Sequence, residues 1–321
     1  LAPNNQVKDY INKNLKAQIK SAVAQHNKQL KIFIGVAPEK NPNKPSMKQH
    51  STPLFEDYTF DNLVLGNANQ MAYGATKQIA ENIKGSPYNP FIIYGGSGLG
   101  KTHLMQAAGH LAKTINPDLK VFYVPLMDFV RNITSSLRHN TIESIKTFYQ
   151  SADLLLVDDI HLIAGKEKSQ EEFFHIFNFL FNGKKQIIFT CDQPPKSIKS
   201  LEERLKTRFS QGLNLHLTPP ELEMRAAILL KKSQNTKINI NLSEDVALFI
   251  AGHITSNVRD LEGALLKLKA FVDFSKMSHD FISKEVVEAA LGDLIKPQIK
   301  NIDVNDIQKE VAKHYALTVS D

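Results

Sequence analysis

The chain has 321 residues, 42% of them hydrophobic and 22% charged, too long for one ordinary domain and too apolar for a disordered chain. Its 39 Lys and Arg against 33 Asp and Glu give a net charge of +6, which suits an anionic partner such as nucleic acid or acidic lipid and decides nothing about fold. The single cysteine, Cys191, excludes an internal disulfide framework, and no apolar run approaches the roughly 18 residues of a membrane span.

Residues 1–37 predict a helix followed by a strand. Val7, Tyr10, Ile11, Leu15, Ile19 and Val23 recur at helical spacing, and KIFIGV (31–36) is a short β-rich run. One helix and one strand enclose no core, so they read as part of a domain. Residues 38–53 hold four prolines and no apolar periodicity, which marks a linker. Over 54–217 strands alternate with helices. FIIY (91–94), VFYV (121–124), LLLV (154–157) and QIIFT (186–190) are the strands, and helices are expected from Thr102 and over 128–137, 142–149 and 171–181. Continuous apolar strands suit a parallel sheet covered on both faces, hence an α/β core. After Pro219-Pro220 four helical patterns, 221–233, 242–254, 258–274 and 282–295, predict a small helical domain over 218–295. In the third, Val258, Leu261, Leu265, Leu268 and Val272 form one stripe. Residues 296–321 begin a further helical unit after Pro297. The expectation is a soluble cytoplasmic protein, and a start at Leu1 without Met and a stop at Ser320-Asp321 are compatible with a fragment.

Gly95-Gly96-Ser97-Gly98-Leu99-Gly100-Lys101-Thr102 matches G-x-x-x-x-G-K-[ST], the phosphate-binding loop. Its glycines let backbone N–H groups converge on phosphates, Lys101 supplies a point charge, the Thr102 hydroxyl suits Mg²⁺, and a helix N-terminus adds its dipole. Leu154 to Asp159 is an apolar strand ending in two acids. Asp158 there suits a Mg²⁺ ligand, and Asp159 suits orienting or deprotonating an attacking water. Asp192, at the end of the next strand, can reach a γ-phosphate, or can simply sit in the turn before Pro194-Pro195. Cys191 reads as a packed residue, since no motif places a histidine base beside it. Arg204 and Arg208, four apart, share one helix face, and Arg259 sits near a helix start in the helical domain. Each can answer a γ-phosphate, across a cleft or in a neighbouring protomer, or can be a solvated surface charge. The 11 histidines lack metal-ligand spacing, so no metal besides Mg²⁺ is expected.

The phrases YTFDNLVLGNANQMAYGA, YNPFIIYGGSGLGKTHLMQA, LLLVDDIHLIAGKEKSQEEFFHIFN, LEERLKTRFSQGL, PPELEMRAAILLKK and NVRDLEGAL stand in one order over about residues 54–295. In that order they resemble the bacterial chromosomal replication initiator (DnaA) family of the AAA+ ATPases. The resemblance implies an AAA+ P-loop NTPase core, a parallel sheet between helices, followed by a helical lid. It implies that Tyr58 to Asn69, including Leu65 and Asn69, surrounds the adenine together with Asn89 and Pro90. Gly95, Gly96, Ser97, Gly98, Leu99, Gly100, Lys101, Thr102 and His103 would hold the phosphates, with Thr102 and Asp158 on Mg²⁺. Asp192 would be the first nucleotide sensor and Arg259 the second. Arg208 would be the arginine finger, with Arg204 supporting it between protomers. The helices of about 126–150 and the GKEKSQ segment would hold single-stranded DNA through Thr134, Lys166 and Lys168.

As a whole the resemblance implies an ATP/ADP switch with slow hydrolysis, which assembles head to tail and opens a replication origin. A replicative helicase would be a partner of the longer protein, and acidic phospholipid a further one. Asp159 stands where general AAA+ ATPases carry Glu. Thr134 and Lys168 stand where the family often has an aliphatic residue and an arginine. A helicase loader or initiator regulator with the same core, or a P-loop kinase, are the alternative readings. The charge is uneven: residues 1–53 hold nine lysines, no arginine and only Asp9 and Glu39, so they carry +7 of the total +6 and residues 54–321 sum to −1.

Overall fold

The computed structural model describes residues 10–16, 50–235, 238–275 and 282–295, with the isolated positions 308, 311, 312 and 314. The chain divides into two compact units, 1–49 and 50–321. In the first, the described residues form a short π-helix, Ile11–Leu15, with Asn14 Nδ2 donating to the Tyr10 carbonyl at 3.2 Å. The rest of the helix expected there, the strand at 31–36 and nearly all of the linker lie outside the described residues, as does most of the helix expected after Pro297.

The second unit opens with α1 (Gln70–Glu81) and β1 (Phe91–Tyr94). It continues through α2 (Lys101–Ile115), β2 (Val121–Pro125), α3 (Leu126–Arg138), α4 (Ile142–Gln150), β3 (Leu154–Asp158), α5 (Glu167–Asn182), β4 (Gln186–Cys191), α6 (Glu203–Ser210) and β5 (Leu213–His216). The five strands form one parallel sheet in the order β2-β3-β4-β1-β5, with Phe91 opposite Ile188 of β4 and Leu213 of β5. Because side chains alternate across a strand, each continuous apolar run feeds two cores. Ile92, Leu155, Val157, Ile187 and Phe189 pack with Phe129, Tyr149, Phe173, Phe177 and Phe209 on the face covered by α3 to α6. Phe91, Ile93, Leu154, Leu156 and Ile188 pack on the other face with Ile79, Leu104 and Met105 of α1 and α2.

Four helices, α7 (Leu222–Ser233), α8 (Glu244–His253), α9 (Val258–Phe274) and α10 (Lys284–Ile295), make the lid. The predicted stripe of α9 is the lid's core: Leu261, Leu265, Leu268 and Val272 are buried against Leu229, Ile250 and Leu291. Each such fully buried side chain stabilises by about 1.5–3 kcal/mol. Two of the lid's helix starts are capped by side chains. Ser243 Oγ accepts from the Val246 amide at 3.4 Å, and Asn257 Oδ1 accepts from Asp260 at 3.0 Å. Two elements, α1 and β5, were not expected from the sequence. Among the described residues no helix is long and apolar enough to cross a membrane.

Candidate nucleotide site

β1 ends beneath the glycine-rich loop, and α2 starts at Lys101 directly after it. Gly98 and Gly100 have φ of 73° and 88°, left-handed values that glycine adopts without steric cost. A Cβ on Gly98 would also stand 2.6 Å from Asn257 Oδ1 of the lid, so glycine permits both the turn and the lid's approach. The buried Lys101 ammonium donates to the carbonyl oxygens of Gly95 and Gly96, each at 2.8 Å. Burial pulls its pKa below the usual lysine value, against the opposing carboxylates of Asp159, Asp158 and Asp192.

At the loop's base, Asp158 ends β3 as a hub. Thr102 Oγ1 lies 2.9 and 3.0 Å from its two oxygens, the Tyr123 hydroxyl of β2 donates at 3.0 Å, and Thr190 Oγ1 of β4 donates to Oδ1. Thr190 Oγ1 in turn accepts the Asp159 amide at 2.8 Å. That bond holds Asp159 in a left-handed conformation, φ 56° and ψ 50°, which costs a non-glycine residue on the order of 1 kcal/mol or more. Burial pushes the Asp159 carboxyl above its usual range, and the like charge of Asp158 adds to this. The same cause, joined by Asp158, raises the Tyr123 phenol, so Tyr123 stays a donor. Asp192 lies beside His161, with Nδ1 to Oδ1 of 3.4 Å. A carboxylate and a hydroxyl in contact are hard oxygen donors, and they fit Mg²⁺.

A cavity of about 380 Å³ opens between this loop and the lid, within the usual range of small-ligand sites. Ser97, Gly98, Leu99, Gly100, Lys101, Thr102, His103, Asp159, Asp192 and Arg259 all line it. The lid touches the loop directly: Arg259 Nη1 donates to Ser97 Oγ at 3.0 Å, and the Val258 amide donates to the Gly98 carbonyl at 3.0 Å. Tyr58, Asn62, Leu63, Val64 and Asn69 form another wall. Tyr58 stacks on His103 with centroids 4.9 Å apart, and His103 Nε2 lies 2.8 Å from the Thr59 carbonyl.

Two expected adenine residues fall elsewhere. Leu65 is 53% exposed and turned out of the cavity that its neighbours line. Asn89 precedes β1, whereas the loop follows it, so the strand's length separates Asn89 from the phosphate site. Its side chain is consumed in structure: Nδ2 donates to the Lys185 carbonyl at 2.8 Å, and Oδ1 accepts the Ile187 amide at 3.1 Å. Pro90 follows it and is not among the lining residues. Gly95 and Gly96 contribute carbonyls to Lys101 rather than lining.

Arg204 and Arg208 lie outside the cavity on α6. Thr134 is exposed on α3, its hydroxyl donating to the Val130 carbonyl at 2.8 Å. Lys166 Nζ donates to the Leu162 carbonyl at 2.5 Å, and Lys168, 81% exposed, stands 3.6 Å from Glu171. α3 packs on the 3-10 turn Ile160–Ile163, which leads to Lys166. Cys191 is fully buried, and burial pushes its thiol up to about 11, as befits a packed residue. Sequence reasoning missed Tyr123, and also Lys231, Lys232 and Glu262, which bring charge to the cavity from the lid, Lys232 and Glu262 as a pair 2.7 Å apart. For Tyr123 a signal existed, since the register of Pro125 with Asp158 puts Tyr123 on the Asp158 face.

Residues 54–216 match the model of the bacterial DnaA ATPase domain. The chain is 47% identical over 271 residues to the chromosomal replication initiator protein DnaA of Laribacter hongkongensis, a match covering 84% of this chain and 55% of that protein. The chain thus spans about half the length of that relative. Its structure is similar to domain III of the Thermotoga maritima replication initiation protein DnaA, with 36% identity and a TM-score of 0.71 over 77% of this chain and 100% of that one. It is also similar to a replication initiator DnaA bound to AMPPCP and single-stranded DNA, with 33% identity and a TM-score of 0.64 over 84% and 76% of the two chains.

Proposed function

The chain belongs to the bacterial DnaA ATPase family, and from that premise we propose that it is an ATP-dependent switch. In this reading ATP binds between core and lid, ATP-bound copies assemble head to tail, and the assembly opens DNA at a replication origin. The observation that carries the reading is the convergence on one cavity of the glycine loop, the Thr102–Asp158 contact, Asp159, Asp192 and the lid's Arg259. The loop amides and the α2 N-terminus bind phosphate oxygens, and Lys101 leaves its two carbonyls for the β- and γ-phosphates. Thr102 and Asp158 would hold Mg²⁺, which would supply neutralisation of phosphate charge. Asp159 orients the attacking water, and as a short carboxylate held by its backbone it supports slow hydrolysis. Asp192 and Arg259 read the γ-phosphate from opposite sides, so the nucleotide sets the lid. The Tyr58–Asn69 wall, without Leu65 and without Asn89, takes the base.

Arg208, with Arg204 beside it, lies outside its own cavity and reaches the γ-phosphate of the next copy, so assembly depends on ATP. Thr134, Lys166 and Lys168 hold single-stranded DNA; the solved relative bound to AMPPCP and single-stranded DNA supports such a partner. The test is Arg208→Ala. It binds ATP with wild-type affinity but loses ATP-dependent assembly in sedimentation; normal assembly would remove the arginine finger from the reading.

A further inference from the structure

The two arginines on α6 are not loose surface charges. Arg204 Cζ sits 4.4 Å above the ring centroid of Phe174, and Arg208 Cζ sits 5.8 Å from that of Phe181. Both rings belong to α5, seven residues apart and so on nearly one face. They are partly buried at the edge of the core cluster, while Phe177 between them is buried. The Phe181 ring is fixed in turn, stacked on Phe177 with centroids 5.6 Å apart and planes 15° from parallel, and Phe177 packs on Phe209 of α6 at 6.0 Å.

We propose that Phe174 and Phe181 are positioning residues for the arginines that reach a neighbouring protomer, a deeper statement of the arginine-finger reading and one that rests on it. The physical argument is one of faces and edges. A guanidinium stacked on a ring uses its flat face and keeps its in-plane N–H donors at the rim. A free arginine side chain loses up to about 2 kcal/mol of rotamer entropy when it is fixed, and a stacked one has lost part of that before its partner arrives. The remaining ties agree with this. Arg208 Nη1 makes only a long 3.3 Å bond to Gln211, and Arg204 is held through Nε by Glu202. Each tie uses one of the guanidinium's five N–H donors, which leaves donors for a polyphosphate or carboxylate of the next copy. An aliphatic residue at 174 or 181 would fill the same core edge and offer no such surface.

The experiment uses the whole chain with ATP and Mg²⁺ and compares Phe181→Leu, Phe181→Tyr, Phe174→Leu, Arg208→Ala and the Phe181→Leu/Arg208→Ala pair. ATP affinity, thermal midpoint and the protein concentration at half-assembly are read for each. Phe181→Leu is expected to bind ATP as wild type and to need about 3- to 10-fold more protein to assemble, the scale of one rotamer-rich side chain left unfixed. Phe181→Tyr, which keeps the ring, is expected to assemble as wild type. The Phe181→Leu/Arg208→Ala pair is expected to fail to assemble, as Arg208→Ala does. If Phe181→Leu does not fold, Phe174→Leu carries the test through Arg204. Wild-type assembly of the leucine variants while Arg208→Ala fails overturns the positioning role and leaves the arginine finger standing. So does equal loss in the leucine and tyrosine variants. Wild-type assembly of Arg208→Ala overturns both.

Discussion

Thr190 occupies a strand position where valine would pack as well, and its hydroxyl explains why valine is absent. One oxygen donates to Asp158 and accepts from the Asp159 amide, at a side chain with no exposure. Thr190→Val keeps the shape and leaves both a buried carboxylate short of a donor and a backbone N–H without its partner. The expected loss is about 2–3 kcal/mol of unfolding free energy in denaturant titration; a loss below about 0.5 kcal/mol would mean that Asp159 finds another partner. At this scale the sequence was partly legible. The loop, the acid pair and Asp192 announce themselves, because few other uses exist for those residues in that order. Tyr123 reads as one more apolar strand residue until the register sets it against Asp158. Asn89 was misread because the resemblance gave its position along the chain and not the end of β1 on which it stands.

Among the elements, the sheet is held at its N-terminal edge by one aspartate. Asp153, just before β3, accepts from the Lys120 amide at 3.0 Å and pairs with Lys185 just ahead of β4. It thus joins the starts of three neighbouring strands. Burial raises its carboxyl, but the Lys185 and Lys120 hydrogen bonds more than offset that and hold it below the ordinary 3.8. A depressed folded pKa means stability that is fully present above the unfolded value and lost as pH falls through the folded one. Asp153→Asn is therefore expected to cost about 1–2 kcal/mol at pH 7, with the gap from wild type closing below about pH 4. A gap that is constant from pH 7 to pH 3 would show that shape, not charge, holds the corner. The four readable runs, β1, β3 and β4 inside the sheet and β2 at one edge, stand out because burial favours continuous apolar residues. β5, LNLH, does not: four residues with an asparagine and a histidine on a sheet edge carry no run. α1 buries only Ala72, Thr76, Ile79 and Ala80 and carries Gly74, too weak a stripe to stand out.

For the molecule as a whole, the basic balance that suggests nucleic acid sits mostly in residues 1–53, while residues 54–321 sum to −1. Any DNA contact made by the core would therefore be local. With a counterion-release slope of about 0.7 per phosphate on single strands, removing Lys166 and Lys168 together is expected to lower the slope of log affinity against log salt by about 1.4. An unchanged slope would assign the single strand to the lysines of 1–53 instead.

The hydrogen bond from Val258 to Gly98 has a mechanical side. It fastens the first turn of α9 to the phosphate loop, and the helix runs on for 17 residues to Phe274, a rod about 25 Å long at 1.5 Å per residue. With its short arm one turn long, about 5 Å, this rod has a gain near five. A displacement of about 1 Å between loop and first turn, the size of a changed hydrogen-bond partner, swings the far end by about 5 Å. Phe274 at that end is 87% exposed, so an ångström-scale shift at the loop would become a movement large enough to change what the lid can touch.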